Sequence, residues 1–173
     1  MRNSAFGIGN LILVLAMLAL TACGFHLRGL ADLSFHTLYM QKSGAPVIAA
    51  ELKRIFKANS IAVVNTPEEA EIQLELMSEK SEKRILSLSG GGRVREYELL
   101  FQVNFRTRES SNTPWSAVQT VDGRRDYSYD DTQLLAKEGE ELRLYNDMRS
   151  DATREIMRRL SALKPSAKPS ASR

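Results

Sequence analysis

The chain has 173 residues, a formal net charge of +3, 43% hydrophobic residues and one cysteine. This length is enough for one domain with a single hydrophobic core. The charge excess is too small for a nucleic-acid binder, in which lysine and arginine concentrate on one strongly basic face. Two histidines and a single cysteine also argue against a metal site. The balance remains compatible with a local basic patch that meets an anionic amphiphile.

The amino-terminal segment has the organisation of a secretory signal peptide. Arg2 is the only charged residue before an apolar run over residues 11–20, and Leu20-Thr21-Ala22-Cys23 supplies small residues at a cleavage site. The alternative is a single-pass membrane anchor. However, residues 5–20 contain two glycines and an asparagine, and the run is shorter than the ~20 apolar residues of a spanning helix. We therefore expect residues 1–22 to be removed.

The four residues that end at Cys23 match the bacterial lipobox at every position. This resemblance implies that diacylglycerol is attached to the Cys23 thiol, that cleavage occurs before it, and that the new amino group is acylated. Two or more acyl chains anchor a protein stably, whereas one gives only marginal binding. Gly24 follows where an aspartate would imply retention in the inner membrane. The pattern therefore predicts a protein tethered to the outer membrane on its periplasmic side.

The next third of the chain predicts two strands around a helix. Residues 37–41 form a candidate strand, and Pro46 suits the first turn of a helix, where its missing N–H would have no partner. We expect Asn59 to end this helix in a left-handed conformation, before a short apolar strand over residues 61–64. The apolar face of the helix repeats at helical spacing and comprises Ile48, Leu52, Ile55 and Phe56.

In the middle of the chain the apolar residues alternate, which predicts strands with one buried face. Alternation over residues 72–76 and again over 97–105 brackets three glycines at 90–92, so the two segments form a long hairpin with a flexible turn. The glycines resemble a phosphate-binding loop only superficially, because no helix and no Lys-Ser/Thr pair follows. Residues 115–121 predict a third antiparallel strand, with Asp122-Gly123 as the next turn.

A second helix is predicted from Asp131, with residues 130–132 as cap candidates. Gly139 leaves open where the continuous helix begins. The expected buried face comprises Leu142, Tyr145, Met148, Ala152, Ile156, Leu160 and Leu163. Residues 164–173 are rich in proline and serine and are expected to be disordered. The prediction is one α+β domain over residues 23–163, a two-layer sandwich of about four mixed or antiparallel strands under two helices.

The start of the mature chain, Cys-Gly-Phe-His-Leu-Arg at residues 23–28, resembles the LptE family of lipopolysaccharide-assembly lipoproteins. Glu96-Tyr97 and Leu135-Ala136-Lys137 extend this resemblance, whereas the triple-glycine loop and a much shorter C-terminal tail depart from it. The resemblance implies a plug and assembly partner of an LptD-type outer-membrane β-barrel that binds lipopolysaccharide. The alternative is an accessory binding lipoprotein of another lipid-transport system.

The resemblance directs attention to the cations near strand and loop ends. It favours Lys137 most and Arg93 next, with Arg95 beside it, as contacts for lipopolysaccharide phosphates, and we expect Lys137 and Arg93 to be exposed. A lipopolysaccharide site needs charge-assisted donors beside exposed apolar surface. Taken singly, each cation is better explained as a solvated surface residue, and the case for a binding site depends on the group. The remaining candidates are Lys83, Arg84, Arg124 and Arg125.

Nothing in the sequence indicates catalysis or a cofactor. Neither Gly-x-Ser-x-Gly nor His-Glu-x-x-His is present. Glu138, Glu140 and Glu141 crowd together, but acidic residues early in a helix ordinarily interact with the helix dipole. We therefore expect a non-enzymatic protein. The sequence does not indicate which surface contacts the barrel. An exposed sheet edge and the hairpin are the two alternatives.

Overall fold

The computed structural model describes residues 33–41, 44–109 and 112–163. Cys23 and the predicted tail over residues 164–173 lie outside the described residues. Two single-turn 3-10 helices, Pro67–Glu69 and Asp131–Gln133, accompany the main elements. The main elements in chain order are β1 (Thr37–Met40), α1 (Pro46–Ala58), β2 (Ala62–Val64), β3 (Ile72–Leu88), β4 (Val94–Arg108), β5 (Gln119–Ser128) and α2 (Leu134–Ser161).

The strands form one mixed sheet in the order β2-β1-β3-β4-β5. Strand β1 runs parallel to β2 and β3, and the β3-β4 and β4-β5 pairs are antiparallel. Both helices pack on the same face of the sheet. The predicted α+β two-layer class is therefore confirmed, although the sheet has five strands where about four were expected. Within the described residues, no helix is both long enough and apolar enough to cross a membrane.

The two central strands are much longer than their neighbours. Strand β3 has 17 residues and is roughly 55 Å long at the usual rise per residue. Strand β1 pairs with it only from Ile72 to Leu74, so among the described residues the second half of β3 has β4 on one side and an unpaired edge on the other. We call the end of the sheet at the β3-β4 turn the distal end. The opposite, proximal end includes Ser34, whose hydroxyl donates to the Leu163 carbonyl at 2.5 Å.

The core lies between the two helices and the alternate residues of β4. The principal core side chains are each at most 1% exposed. Burial of such large apolar groups provides the main favourable contribution to folding. The opposite face of the sheet carries the intervening polar residues. The principal core residues are Ile48, Leu52 and Phe56 of α1, Leu99, Phe101, Val103 and Phe105 of β4, and Met148, Ile156 and Leu160 of α2.

Two expectations about the helices are wrong. Asn59 closes α1 with a φ of −97°, and the left-handed residue is Ser60, with a φ of 59°. Asn59 keeps an ordinary conformation because its side-chain amide donates back to the Ile55 carbonyl at 2.7 Å. Leu142 was expected on the buried face of α2 but is 66% exposed. Helix α2 continues unbroken through Gly139.

The third antiparallel strand is displaced from its predicted position. It begins at Gln119 rather than at residue 115, and it passes straight through Asp122-Gly123, so the predicted turn there is wrong. Gly123 pairs with Phe101 inside the sheet, and a Cβ at this position would stand 3.2 Å from the side chain of Met148. The glycine thus allows α2 to approach the strand closely, a reason that sequence alone does not reveal.

Candidate functional site

The hairpin tip at the distal end presents two free guanidinium groups. Ser89 closes the turn, because its N–H donates to the Arg93 carbonyl at 2.7 Å and its hydroxyl accepts from the Arg93 N–H at 3.1 Å. Gly92 alone in this turn adopts a positive φ, of 76°. Arg93 and Arg95 are both exposed. Neither side chain forms an ion pair within residues 33–41, 44–109 and 112–163.

Lys137 lies in the first turn of α2 and is not the exposed cation that the sequence predicted. Its side chain is only 15% exposed, and its ammonium lies 2.9 Å from Glu140 Oε2. It also donates to the Ser128 hydroxyl at 3.3 Å. A cation in the first turn interacts unfavourably with the helix dipole, so the nearby Glu140 carboxylate offsets an otherwise unfavourable position. The prediction of an exposed Lys137 is corrected to a largely covered, ion-paired lysine.

The structure brings Lys137 and the two arginines to the same end of the sheet. Ser128, which contacts Lys137, pairs with Glu96 across β4 and β5. The next residue, Tyr129, donates its backbone N–H to the Arg95 carbonyl at 2.8 Å. Arg95 therefore lies one strand away from the lysine, and Arg93 is two residues nearer the tip. This grouping depends on the register of β4 and β5, which the sequence did not specify.

Three of the other candidate cations form ion pairs with the carboxylates of neighbouring residues. Arg84 pairs with Glu82 at 2.7 Å, and Arg124 pairs with Glu98 at 2.8 Å on the uncovered face of the sheet. Arg125 pairs with Asp151 of α2 at 2.6 Å. A shallow depression of about 440 Å³ on the uncovered face includes the first two arginines. Because these charges already neutralise one another, the depression is a poor site for an anion.

Lys83 is the centre of a clamp that fastens the hairpin to α2. Its ammonium lies 2.5 Å from Glu141 Oε2 and 4.2 Å from the centre of the Tyr97 ring. The Tyr127 hydroxyl donates to the same Glu141 oxygen at 2.7 Å. Tyr129 packs edge-on against Tyr97, with ring centres 5.0 Å apart. Cation–π contact, ring packing and ion pairing together fix the position of β4 and β5 beneath the first turns of α2.

The clamp residues also have altered proton affinities. Burial lowers the pKa of Lys83, but hydrogen bonds to Glu141 and Tyr127 outweigh it and raise the pKa above its ordinary value. Burial raises the pKa of Glu141, yet the bonds from Lys83 and Tyr127 lower it overall. Burial and the bond to Glu141 raise the pKa of Tyr127 to about 12. At neutral pH the clamp is thus a charged pair beside a neutral phenol, and Lys83 is engaged rather than free for ligand.

The distal end also exposes a cluster of large apolar side chains. Most of the exposed large apolar residues in the described ranges lie on the second half of β3 or the first turns of α2. They are Ile85, Leu86, Leu88, Leu134, Leu135 and Leu142. Leu135 is the most exposed of them, at 83%. Clustered apolar exposure marks an interaction surface more often than scattered apolar residues do.

We use the name distal surface for Arg93, Arg95 and Lys137 together with the exposed apolar residues Ile85, Leu88, Leu134, Leu135 and Leu142. Sequence reasoning identified its cations but not its apolar part. The dipeptide Leu134-Leu135 carried a signal for it, because adjacent residues on a helix point in different directions and cannot both face one sheet. Leu142 was assigned to the core by its spacing alone.

The comparisons with known proteins place this α+β fold among bacterial lipoproteins. The solution structure of lipoprotein B from Nitrosomonas europaea is similar to this chain, with a TM-score of 0.70 and 38% identity. That match covers 80% of this chain and 91% of the other. The crystal structure of the rare lipoprotein B from Shewanella oneidensis has a TM-score of 0.65 and 25% identity, and covers 73% of this chain and 94% of the other.

The family model LptE, described as lipopolysaccharide-assembly, matches residues 35–160. The LPS-assembly lipoprotein LptE of Photorhabdus laumondii subsp. laumondii is 28% identical to this chain over 156 residues. That match covers 87% of this chain and 84% of the Photorhabdus protein. The chain belongs to the LptE family of lipopolysaccharide-assembly proteins, so the resemblance found in its sequence is confirmed.

Proposed function

We propose that this chain is a non-catalytic lipoprotein of the outer membrane that assembles lipopolysaccharide together with an LptD-type β-barrel. In this proposal it is both the plug of the barrel and a component that binds lipopolysaccharide. Family membership supports the role in lipopolysaccharide assembly. The observation that carries the binding role is the distal surface, where the free side chains of Arg93 and Arg95 stand at the same end of the sheet as exposed leucines.

The chemistry of the distal surface suits an amphiphile that carries phosphates. A guanidinium group presents a planar fork of donors that can bind a phosphate through two parallel hydrogen bonds. Arg93 and Arg95 have no ion pair to break within the part of the chain that the structure describes. Leu135 and Leu142 offer apolar surface against which acyl chains can be buried, at roughly 25 cal/mol per Å² of area removed from water.

The length of β3 supports a lipid anchor and a ligand-binding surface in different parts of the molecule. Cys23 precedes Leu33, the first described residue, by ten positions, and a chain of that length spans at most roughly 35 Å. Strand β3, at roughly 55 Å, is longer than this reach. If Cys23 carries the lipid, the attachment point therefore cannot reach the distal end of β3. A hydrocarbon core is about 30 Å thick, so β3 is long enough to extend through a barrel that spans it.

The uncovered face of the sheet has the character of a surface in contact with water or with a polar lumen. Its charges form a self-paired network that includes Arg124 with Glu98, and its amide Gln102 donates to Asp122 at 2.9 Å. The interior of a barrel that encloses water is polar in the same way. The unpaired edge of β3 and this polar face are the surfaces we assign to contact with the barrel wall.

The proposal is tested by isolating the protein with its partner from membranes. The full chain carries a C-terminal tag, is extracted in mild detergent, and is recovered with its bound proteins and lipids for mass spectrometry. We expect a large outer-membrane β-barrel and lipopolysaccharide. A tagged unrelated domain fused after residues 1–24 serves as the control for adhesion caused by the lipid anchor. Recovery of components of a different lipid-transport system, without a barrel, would support the alternative accessory role instead.

A further inference from the structure

We propose that Glu140 competes inside the protein with the phosphate ligand of Lys137, and thereby keeps this contact weak and readily exchanged. The inference rests on the proposed function, because it concerns the same distal surface. The Glu140 carboxylate lies 2.9 Å from the Lys137 ammonium, and the lysine side chain is only 15% exposed. A phosphate that approaches this ammonium closely therefore meets the carboxylate as a competing anion.

The donor capacity of Lys137 explains why the two anions compete. An ammonium group has three N–H donors. One is directed to Glu140 and another to the Ser128 hydroxyl, at 2.9 and 3.3 Å. A phosphate on the remaining donor would stand within a few ångströms of the Glu140 carboxylate, where like charges repel. Exchange of carboxylate for phosphate is therefore favoured over simultaneous binding.

Glu140 is free to make this exchange, because its side chain is 41% exposed and points from a regular helix. When it swings out, it enters water, and the phosphate takes its place beside the largely covered Lys137 ammonium. Arg93 and Arg95 carry no such internal counter-ion within the described residues. The distal surface thus combines two arginines that can bind phosphate directly with one lysine that must first exchange its carboxylate partner.

A protein that takes part in lipopolysaccharide assembly must release its ligand as well as bind it. An exposed ion pair contributes about 0.2–1 kcal/mol. Since about 1.4 kcal/mol corresponds to a tenfold change in affinity, breaking this pair reduces phosphate affinity by about 1.4- to fivefold. This weakens the lysine contact while leaving the contacts from the arginines intact.

The test compares two neutralising substitutions in the same helical turn. The full chain in detergent is titrated with lipopolysaccharide, in wild-type form and as Glu140→Gln and Glu138→Gln. Glu138 is exposed and forms no ion pair in the described part of the chain, so its substitution removes the same charge without freeing Lys137. We expect Glu140→Gln to tighten binding about 1.4- to fivefold, and Glu138→Gln to have a clearly smaller effect.

A second pair of measurements assigns the gain to Lys137. In a Lys137→Met background, Glu140→Gln should no longer tighten binding, because the two side chains then act through one interaction. Equal tightening by Glu138→Gln, or a gain that persists without the lysine, overturns the inference. If Lys137→Met weakens binding but Glu140→Gln does not tighten it, only the inference fails. If the wild type does not bind, or if Lys137→Met binds as well as the wild type, both the inference and the proposed contact between Lys137 and lipopolysaccharide fail.

Discussion

Gly44 faces the main-chain carbonyl of Met77 so closely that a Cβ at position 44 would stand 2.0 Å from that oxygen. Met77 lies at a register shift of β3. It directly follows Leu76, whose carbonyl accepts a hydrogen bond from the Gly44 N–H at 2.8 Å. This is the point where β3 leaves its short parallel neighbour and continues only beside β4. A glycine is required there because a main-chain oxygen cannot move aside as a flexible side chain can.

We therefore predict that Gly44→Ala lowers the free energy of unfolding by about 1–3 kcal/mol, the usual effect of overpacking. The matched control is Gly139→Ala in α2, where a Cβ meets open space. The control should raise stability by about 0.5–1 kcal/mol, because alanine favours a helix interior. Urea unfolding of both variants gives the comparison. An unchanged stability for Gly44→Ala would contradict the close approach.

Phe101 provides a test of the sheet register. Its side chain is 1% exposed beneath α2, and Arg149 of that helix lies 5.6 Å from the ring centre. Phe101→Ala should lower the free energy of unfolding by about 3–5 kcal/mol. Leu100→Ala, on the opposite and only half-buried side of the same strand, should lower it clearly less. A loss below about 1 kcal/mol for Phe101→Ala would mean that β4 is shifted by one residue.

Stability at alkaline pH should depend on Tyr127. Its pKa is raised from 10.0 to about 12, first by burial and then by its hydrogen bond to Glu141. Between these values the folded protein keeps a proton that the unfolded chain has lost. The contribution of Tyr127 is thus fully present below pH 10 and is lost as pH rises towards about 12.

The variant Tyr127→Phe should show a smaller fall in stability over this alkaline range than the wild type. The measurement is urea unfolding at intervals between neutral pH and pH 12, with Tyr129→Phe as the control from the same cluster. Identical pH profiles for the wild type and Tyr127→Phe would show that the phenol does not titrate abnormally.

Charge reversal at the hairpin tip separates ligand binding from folding. Arg93→Asp should change the free energy of unfolding by no more than about 0.5 kcal/mol, because the side chain is exposed and unpaired in the described structure. Lipopolysaccharide binding should weaken, and most at low salt, where charges are least screened. Combining it with Lys137→Met, which removes the charge and keeps most of the side-chain length, should weaken binding further.

The control for these variants is Arg54→Asp on α1, an exposed cation far from the tip in the chain. If binding survives Arg93→Asp with Lys137→Met while the fold is intact, these residues are ordinary surface cations. If recovery of the barrel is lost instead, they belong to the protein interface.

The anchor predicted at Cys23 is tested by mass. The mature wild-type protein should begin at Cys23 and carry the added mass of its acyl chains. Cys23→Ala should abolish cleavage by the lipoprotein signal peptidase. A mature wild-type protein without lipid would exclude this anchor.

Periodicity alone determined the α+β class and the long hairpin. The alternation over residues 97–105 is confirmed by the burial of Leu99, Phe101, Val103 and Phe105. This succeeds because a strand with one buried face must alternate, whatever it packs against. The cations of the distal surface flank a turn and a helix start, both of which are local features, but it was the resemblance to the LptE family that favoured Lys137 and Arg93 among them.

What the sequence did not reveal depends on contacts between segments far apart in the chain. Gly123 was predicted in a turn, yet it lies within β5 because Met148 packs above it. Leu142 matched the helical spacing but is exposed, whereas Glu141 and Tyr145 of the same helix contact β3. Lys137 was expected in solvent, but the fold places it between Glu140 and Ser128. Local pattern determines which element forms, whereas burial and charge pairing depend on which element lies opposite, and only the tertiary structure decides that.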